Sequence, residues 1–259
     1  MQDLRVALLQ NTLVGNQPEA NLASFTELLP GAGEVDLVVL PEVFTTGFHP
    51  QARLKADVSG ALARDWCIQK AQELDCVVTG SVVMQTAEPA HVNRMLWARP
   101  DGSLGHYDKR HLFRMAGEHK RYQSGRLRVV ESVGDWRVLL QVCYDLRFPV
   151  FSRCRNDYHA IVYVANWPSA RHEHWRTLLK ARAIENLCYV IGVNRVGVDA
   201  YSQPYAGGSV VFGPDGACLL DAEDKIGRYV CTLSANKLSA YRESFPAFLD
   251  ADEFSLMTE

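Results

Sequence analysis

The chain has 259 residues, of which 47% are hydrophobic and 22% are charged, and its formal net charge is -3. This balance is typical of a globular protein with one large domain or two small ones. The acidic net charge argues against a nucleic-acid partner or an anionic membrane surface.

The N-terminal residues 1–12 contain an apolar stretch that is too short for a signal peptide and has no basic leader. No run of the sequence approaches the roughly 18 apolar residues that would cross a bilayer. We therefore expect a soluble, cytoplasmic protein.

Apolar runs that end in Gly, Pro, Asp or Asn predict strands along the whole chain. In chain order they are 4–10, 35–40, 77–84, 92–98, 136–142, 160–165, 189–196, 209–212, 217–220 and 229–233. Helical periodicity predicts helices over 18–29, 61–74 and 175–187. The segments RPDG (99–102) and GPDG (213–216) are typical of tight turns between strands.

The order of strand, helix, strand, helix and strand pairs occurs twice, which indicates two related halves. Each half would form a sheet covered by helices. We therefore predict an α/β fold in a single domain over 1–259, a four-layer α-β-β-α sandwich of two stacked mixed sheets.

The cysteines are seven in number and dispersed, with no CxxC pattern. This spacing argues against a disulfide framework and against a cysteine-based zinc site. Most of them lie in apolar runs, so we expect six of the seven to be small buried side chains.

α/β sheets place their catalytic side chains just past the carboxyl ends of strands, and three segments of the sequence fit this rule. Glu42 comes just after the apolar run 35–40, where a low-dielectric setting suits a general base. Lys109 lies in an aromatic and polar segment, where a cation could stabilise a thiolate or an oxyanion. A solvated turn residue is the simpler interpretation of each when taken alone.

Cys143 follows the strand 136–142 and precedes a polar turn and Pro149. This arrangement is similar to the strand–turn–helix elbow that presents nucleophiles. It also makes the backbone N–H of Tyr144 available to an oxyanion. The alternative is one more buried cysteine, but the sharp break after Cys143 favours a nucleophile.

The segments LPEVF, YDKRHLF and CYDLRFP, which contain Glu42, Lys109 and Cys143, resemble the three signature segments of the nitrilase, or carbon–nitrogen hydrolase, superfamily. They occur in the family's order, and the resemblance extends over almost the whole chain. It implies the four-layer sandwich, a cysteine nucleophile at 143, a general base at Glu42 and an oxyanion-side cation at Lys109. It implies no metal and no organic cofactor.

The resemblance also implies supporting residues around this triad. Glu118 falls where many members carry a second active-site glutamate, and Asn166 and Trp167 follow a strand and are expected to line the pocket. Phe44, in the same segment as Glu42, and Arg147 complete the predicted set of substrate-binding or supporting residues.

The CYDLRFP segment, with no Trp-Glu pair after the cysteine, is similar to the amidase side of the superfamily and to ω-amidases in particular. The resemblance implies hydrolysis of α-ketoglutaramate and related monoamides of dicarboxylic acids, through a thioester and with release of ammonia. A cation would hold the free carboxylate of such a substrate, and the candidates are Arg147, Arg114 and Arg171. The alternatives within the superfamily are another small aliphatic amidase, a carbamoylase or a nitrilase.

Other classes remain as alternatives. A Cys–His hydrolase could use His111, His172 or His174, although no peptidase signature surrounds Cys143. A metal site at residues 172–174 lacks the HExxH spacing. A non-catalytic binding domain would have no reactive thiol.

The residues 241–259 carry many apolar side chains at a chain end, where order is normally lost. We therefore expect this segment to dock on the domain or on a second subunit, and we predict a homo-oligomer, a dimer or higher. The only other expected partner is the small-molecule amide.

Overall fold

The computed structural model describes residues 1–49, 51–52, 56–86 and 90–256. The helices are α1 (Pro18–Thr26), α2 (Ala56–Leu74), α3 (Pro149–Ser152), α4 (His172–Asn186) and α5 (Ala235–Ser244). The strands are β1 (Leu4–Gln10), β2 (Leu37–Val39), β3 (Val77–Gln85), β4 (His91–Ala98), β5 (Leu104–Asp108), β6 (Val130–Val133), β7 (Trp136–Val142), β8 (Ala160–Ala165), β9 (Tyr189–Asn194), β10 (Val196–Val198), β11 (Pro204–Ala206), β12 (Val210–Phe212), β13 (Cys218–Asp221) and β14 (Gly227–Leu233).

Two six-stranded sheets form the centre of the fold, in the orders β14-β1-β2-β3-β4-β5 and β6-β7-β8-β9-β12-β13. In each sheet three consecutive strands are parallel, β1 to β3 in the first and β7 to β9 in the second. Each set of three parallel strands has one antiparallel strand on one side and two antiparallel strands on the other side. The shared pattern confirms the mixed sheets and agrees with two related halves.

The alternation of side chains along β1 shows how the layers stack. Leu8 belongs to an apolar cluster that also contains Val138 and Val162 of the second sheet, so this cluster lies between the sheets. Leu9 points the other way and packs with Phe25 of α1. The second sheet packs on α4 through a separate apolar cluster. The order of layers is therefore helices, sheet, sheet and helix, as predicted.

Several elements differ from the prediction. The strands β5, β6 and β11 and the helix α5 were not predicted, because they are short or half-exposed and lack a strong apolar period. The short helix α3 begins at Pro149, where the elbow after Cys143 predicts a helix. The run 189–196 is two strands rather than one, since β9 ends at Asn194 and β10 begins at Val196. Both predicted turns are confirmed: 99–102 joins β4 to β5, and 213–216 joins β12 to β13.

The expectation that six cysteines are buried is wrong in part. Cys67, Cys76, Cys154 and Cys188 are buried, but Cys218 is exposed and Cys231 is half-buried. Cys218 lies on β13, the edge strand of the second sheet, where the side chains 218 and 219 both face solvent. An apolar run at a sheet edge does not have to be buried.

The C-terminal segment packs back on the second half of the chain. The Arg242 side chain of α5 donates hydrogen bonds to the carbonyls of Leu187 and Tyr158. Further on, the Arg155 guanidinium lies 4.4 Å from the centre of the Phe254 ring. Phe245 and Leu249 remain exposed. None of the helices in the described ranges is both long and apolar enough to span a membrane.

Candidate active site

Glu42 follows β2, and hydrogen bonds fix both of its carboxylate oxygens. Oε1 accepts from Lys109 Nζ at 2.8 Å and from Asn93 Nδ2 at 2.9 Å. Oε2 accepts from the backbone N–H of Asn166 at 2.8 Å. The side chain is only 1% exposed. Glu42 lies after β2 of the first sheet, and Asn166 lies directly after β8 of the second sheet. The hydrogen bond between them therefore joins the carboxyl ends of the two sheets.

Lys109 lies immediately after β5 and is 1% exposed. Its Nζ contacts Glu42 and also both oxygens of Glu118, at 3.1 and 3.0 Å. Burying an ammonium with two carboxylates costs desolvation free energy, and such buried charge clusters are common at functional sites. The structure therefore brings together the two residues that the sequence placed 67 positions apart.

Glu118 is fully buried at the start of a 3-10 helix over Glu118–Lys120. Besides Lys109 it binds the backbone N–H of Phe113 through Oε2, at 2.6 Å. One carboxylate thus holds both the Lys109 ammonium and the loop after it. Its predicted place beside the triad agrees with these contacts.

Cys143 has a φ of 47°, a conformation that L-residues rarely adopt. It begins a 3-10 helix over Cys143–Arg147 directly after β7, and this sharp turn presents the side chain at the cavity. Asp145 braces the turn by accepting from the Val142 N–H at 2.9 Å. Asp145 also accepts from Tyr107 and contacts His111, which ties the turn to the Lys109 loop. A strained residue held by such contacts is typical of a nucleophile elbow.

The electrostatics of the cluster differ in one respect from the sequence-based expectation. Burial alone lowers the pKa of Lys109, but the carboxylates of Glu118 and Glu42 outweigh it and raise that pKa well above its usual range. Burial and the charge of Glu42 also raise the pKa of the Cys143 thiol well above its usual range, against the opposing effect of Lys109. Lys109 thus favours the thiolate, as expected, but burial and the charge of Glu42 outweigh its effect on the pKa of Cys143.

The cluster opens into a cavity of about 330 Å³. Its lining combines three of the catalytic candidates with aromatic and basic side chains: Glu42, Lys109, Cys143, Phe48, Phe113, Met115, Ala116, Arg121, Tyr144, Arg147, Asn166, Trp167, Pro168, Arg171, Asp199, Tyr201, Gln203 and Tyr205. This volume and this mixture of apolar walls with a few polar groups are typical of a site for a small molecule.

The cavity contains three arginines, each stacked on an aromatic ring. Arg147 lies 4.8 Å from the centre of the Trp167 ring, Arg171 5.5 Å from Phe113, and Arg121 5.8 Å from Phe48. None of the three forms a salt bridge with a carboxylate of the described residues. Arg114, the remaining arginine suggested by the sequence, is exposed and does not line the cavity.

The other predicted residues separate into two groups. Tyr144, Asn166 and Trp167 line the cavity. Phe44 does not; it is fully buried and packs against Phe25 and Trp66 behind the site. Residues 42–46 form a turn in which Val43 has a φ of 41°, so Phe44 and Glu42 can face different sides although they are close in sequence.

The histidines suggested for other chemistries lie elsewhere. His111 contacts Asp145 and stacks on Phe148 at 3.9 Å, and His174 contacts Arg147. Within the described ranges, no group of three or more His, Cys, Asp or Glu side chains is placed to hold a metal ion. The Glu42 carboxylate, by contrast, faces the Cys143 thiol.

Besides lining residues such as Phe48 and Arg121, sequence reasoning missed two larger features of the site. The hairpin of β10 and β11 supplies a cavity wall through Asp199, Tyr201, Gln203 and Tyr205. Asn93, on β4, contacts Glu42 from inside the sheet. The hairpin strands have three residues each, too few for a period, although the aromatic residues at 201 and 205 beside Pro204 were a usable signal. Asn93 was visible as a polar residue inside an apolar strand.

Comparison with known proteins agrees with this geometry. The family model described as carbon-nitrogen hydrolase matches residues 5–242. The chain is 48% identical to "Omega-amidase YafV" of Yersinia enterocolitica, over 99% of this chain and all of that protein. It is 33% identical to "2-oxoglutaramate amidase" of Bacillus subtilis, over 83% of this chain and 84% of that protein.

A solved structure is also similar over almost the whole chain. It is a carbon–nitrogen hydrolase superfamily protein from Xanthomonas campestris, with an arsenic adduct in its active site. The TM-score is 0.96 at 45% sequence identity, and the match covers 99% of this chain and all of the other.

Proposed function

The chain belongs to the carbon–nitrogen hydrolase family and is an amidase that acts on non-peptide amides, and we propose that its substrate is a small monoamide with a distal carboxylate, hydrolysed through a thioester on Cys143. The observation that carries this proposal is the buried cluster of Glu42, Lys109 and Cys143 at the end of a cavity that contains three arginines without carboxylate partners in the described part of the chain. The names of the two curated relatives support the same substrate class.

The first chemical step is the activation of the thiol. Burial and the charge of Glu42 raise the pKa of the Cys143 thiol, so the thiol needs a base at the moment of attack. Glu42 takes the proton from Sγ as the sulfur bonds to the carbonyl carbon of the amide. A general base that is held in place by three hydrogen bonds loses little energy to reorganisation in this step.

The second requirement is a place for the negative charge that develops on the carbonyl oxygen. An ammonium has three N–H groups. Two of those of Lys109 face Glu42 and Glu118, which leaves one for the oxyanion. The N–H of Tyr144, in the first turn of the 3-10 helix, is the second donor.

The remaining steps return the enzyme to its starting state. Glu42 passes its proton to the nitrogen, the carbon–nitrogen bond breaks, and ammonia leaves a thioester on Cys143. A water molecule then attacks the thioester while Glu42 takes its proton. The carbon–sulfur bond breaks, the acid is released, and the proton on Glu42 returns to the thiol.

We assign the distal carboxylate of the substrate to Arg147. Its guanidinium lies against Trp167 and donates toward Nδ1 of His174 at 3.1 Å, so the side chain is fixed, yet it has no carboxylate partner among the described residues. Arg147 is also four residues from Cys143, on the same 3-10 helix. A substrate held at both ends would present its amide to Cys143 in a fixed position.

To test the substrate class, we would compare the rates of ammonia release from a charged and a neutral amide, for the wild type and for matched arginine variants. We expect the wild type to release ammonia from succinamate faster than from butyramide. Arg147→Met should lower kcat/KM for succinamate by about tenfold to a hundredfold, the value of one charge-assisted hydrogen bond, with little effect on butyramide. Arg114→Met, outside the cavity, is the control.

If butyramide is an equal or better substrate for the wild type, the carboxylate assignment is wrong and a small aliphatic amidase is the better description. If Arg147→Met lowers activity on both amides equally, Arg147 supports the fold of the site instead of binding the carboxylate. Neither result would affect the thioester mechanism.

We also propose a cytoplasmic location and an oligomeric state of at least two subunits. The described cysteines are all free thiols, which fits a reducing compartment. Exposed apolar side chains in the C-terminal segment, Phe245 and Leu249, are candidates for the subunit contact.

A further inference from the structure

Asn93 contacts three parts of the catalytic cluster from within the first sheet. It lies on β4, opposite Val83 of β3, and is 1% exposed. Its Nδ2 donates to Glu42 Oε1 at 2.9 Å and lies 3.4 Å from Glu118 Oε1. Its main-chain oxygen accepts from the N–H of Lys109 at 2.9 Å.

The chemistry of the neighbours determines which way the amide faces. Ionised carboxylates only accept hydrogen bonds, so the NH2 group of Asn93 must face Glu42 and Glu118. Oδ1 then points away from them, and it is buried without a hydrogen-bond partner among the described residues. A buried acceptor without a partner is destabilising. Packing alone would favour an apolar residue of similar size at this position, so the amide is better explained by what its NH2 group does.

The charges around Glu42 explain why a neutral donor is useful there. Among the described residues, the titratable groups that face it are Lys109 and Glu118, the Cys143 thiol, and the Tyr122 and Tyr205 hydroxyls. Lys109 is the one cation among them and it is shared by two carboxylates. Asn93 can give one amide hydrogen to each carboxylate without adding a charge. Aspartate has the same shape but would remove both donors and add a third negative charge.

We propose that Asn93 is a positioning residue that keeps Glu42 and Glu118 ionised and correctly oriented by donating a hydrogen bond to each. Asn93 is not part of the cavity lining, so it acts through the two carboxylates and not by contact with the substrate. The proposal rests on the role of Glu42 as the base for Cys143.

The test uses the reaction of Cys143 with iodoacetamide, which needs no knowledge of the substrate. We would measure the second-order rate of inactivation between pH 5 and 9 for the wild type, Asn93→Ala and Asn93→Asp. Asn186→Ala is the matched control, since Asn186 is also buried but bonds to Cys154 and Arg182. Circular dichroism would establish that each protein is folded.

A donor favours the ionised form of a carboxyl, so its loss makes Glu42 easier to protonate and less able to accept the thiol proton at low pH. The acid limb of the rate profile should therefore move to higher pH, by about one unit in Asn93→Ala, the size expected for one hydrogen bond to a charged group. Asn93→Asp, which keeps the volume, should shift it further, and Asn186→Ala should leave it unchanged.

A folded Asn93→Ala or Asn93→Asp protein whose acid limb coincides with that of the wild type would overturn the proposal. A loss of rate at every pH without a shift would also overturn it, because that is the result of a structural role alone. If Glu42→Gln alkylates with the same acid limb as the wild type, the error lies in the proposed mechanism, since Glu42 would then not be the base.

Discussion

Replacing Lys109 with methionine tests whether the buried charges of the site act as one unit. The substitution keeps a long side chain but removes a cation that pairs with both Glu42 and Glu118, at 2.8 and 3.0 Å. All three side chains are at most 1% exposed, so water cannot replace the lost contacts. Breaking a buried ion pair by removing one partner typically costs about 3–5 kcal/mol. We expect at least this loss in the free energy of unfolding at pH 8.

The pH dependence of this loss in the free energy of unfolding is the more specific test. In the folded variant the two carboxyls lie side by side without a cation, so the folded state binds protons more readily than the unfolded state. Where the folded state binds more protons, stability rises as the pH falls. The stability difference between the variant and the wild type should therefore be smaller at pH 5 than at pH 8.

Urea unfolding followed by circular dichroism at the two pH values measures both effects, provided that the slope with denaturant is unchanged. Lys70→Met is the control, because Lys70 forms a surface ion pair with Glu73 at 2.6 Å, and such pairs contribute about 0–1 kcal/mol. A loss below about 1 kcal/mol for Lys109→Met, or a loss that is equal at pH 5 and pH 8, would refute this account of the buried charges.

Three further outcomes are expected. Glu42→Gln should fold but lose turnover by about a hundredfold or more, measured as ammonia release, because the amide cannot accept the thiol proton; turnover near the wild-type rate would rule out Glu42 as the base. Brief iodoacetamide treatment should abolish activity only when peptide mapping finds Cys143 labelled, and labelling of the exposed Cys218 alone should leave the activity intact. Light scattering should give the mass of a dimer or larger at micromolar concentration, and Leu249→Asp should shift it toward the monomer; a monomeric wild type would contradict the role given to the C-terminal segment.

Two members of the predicted triad, Glu42 and Cys143, follow strands that are easy to recognise, whereas β5, the strand before Lys109, was not predicted. The strands β1, β7 and β8 begin and end at the predicted residues, and β7 leads directly into Cys143. Parallel strands meet at the same edge of a sheet, so residues just after them come together even when they are far apart in the chain. The similarity of the three segments to a known family made the prediction more specific.

The raised pKa of the Cys143 thiol could not be predicted in the same way. A lysine in the same cluster suggests a thiolate, but the outcome depends on how many carboxylates share that lysine and how deeply they are buried. Glu118 and Glu42 both bind Lys109, and only the three-dimensional structure shows that they share it. The same holds for Asn93, whose strand is apolar and gives no sign of which neighbours its amide contacts.

The cavity wall formed by β10 and β11 was missed for a different reason. Each of these strands has three residues, and Asp199 organises the loop between them by accepting from the N–H groups of Tyr201 and Gln203. Such local hydrogen bonds create structure without any hydrophobic period. Short functional loops are therefore the parts of a site that sequence patterns reveal least.

Intact-protein mass spectrometry of the enzyme quenched with acid during the turnover of succinamate tests the central claim most directly. The account predicts a succinyl adduct that peptide mapping places on Cys143, that forms within the first turnover and that disappears when the substrate is exhausted. Steady ammonia release without any adduct, combined with a Cys143→Ala variant that still turns over succinamate, would contradict a thioester mechanism.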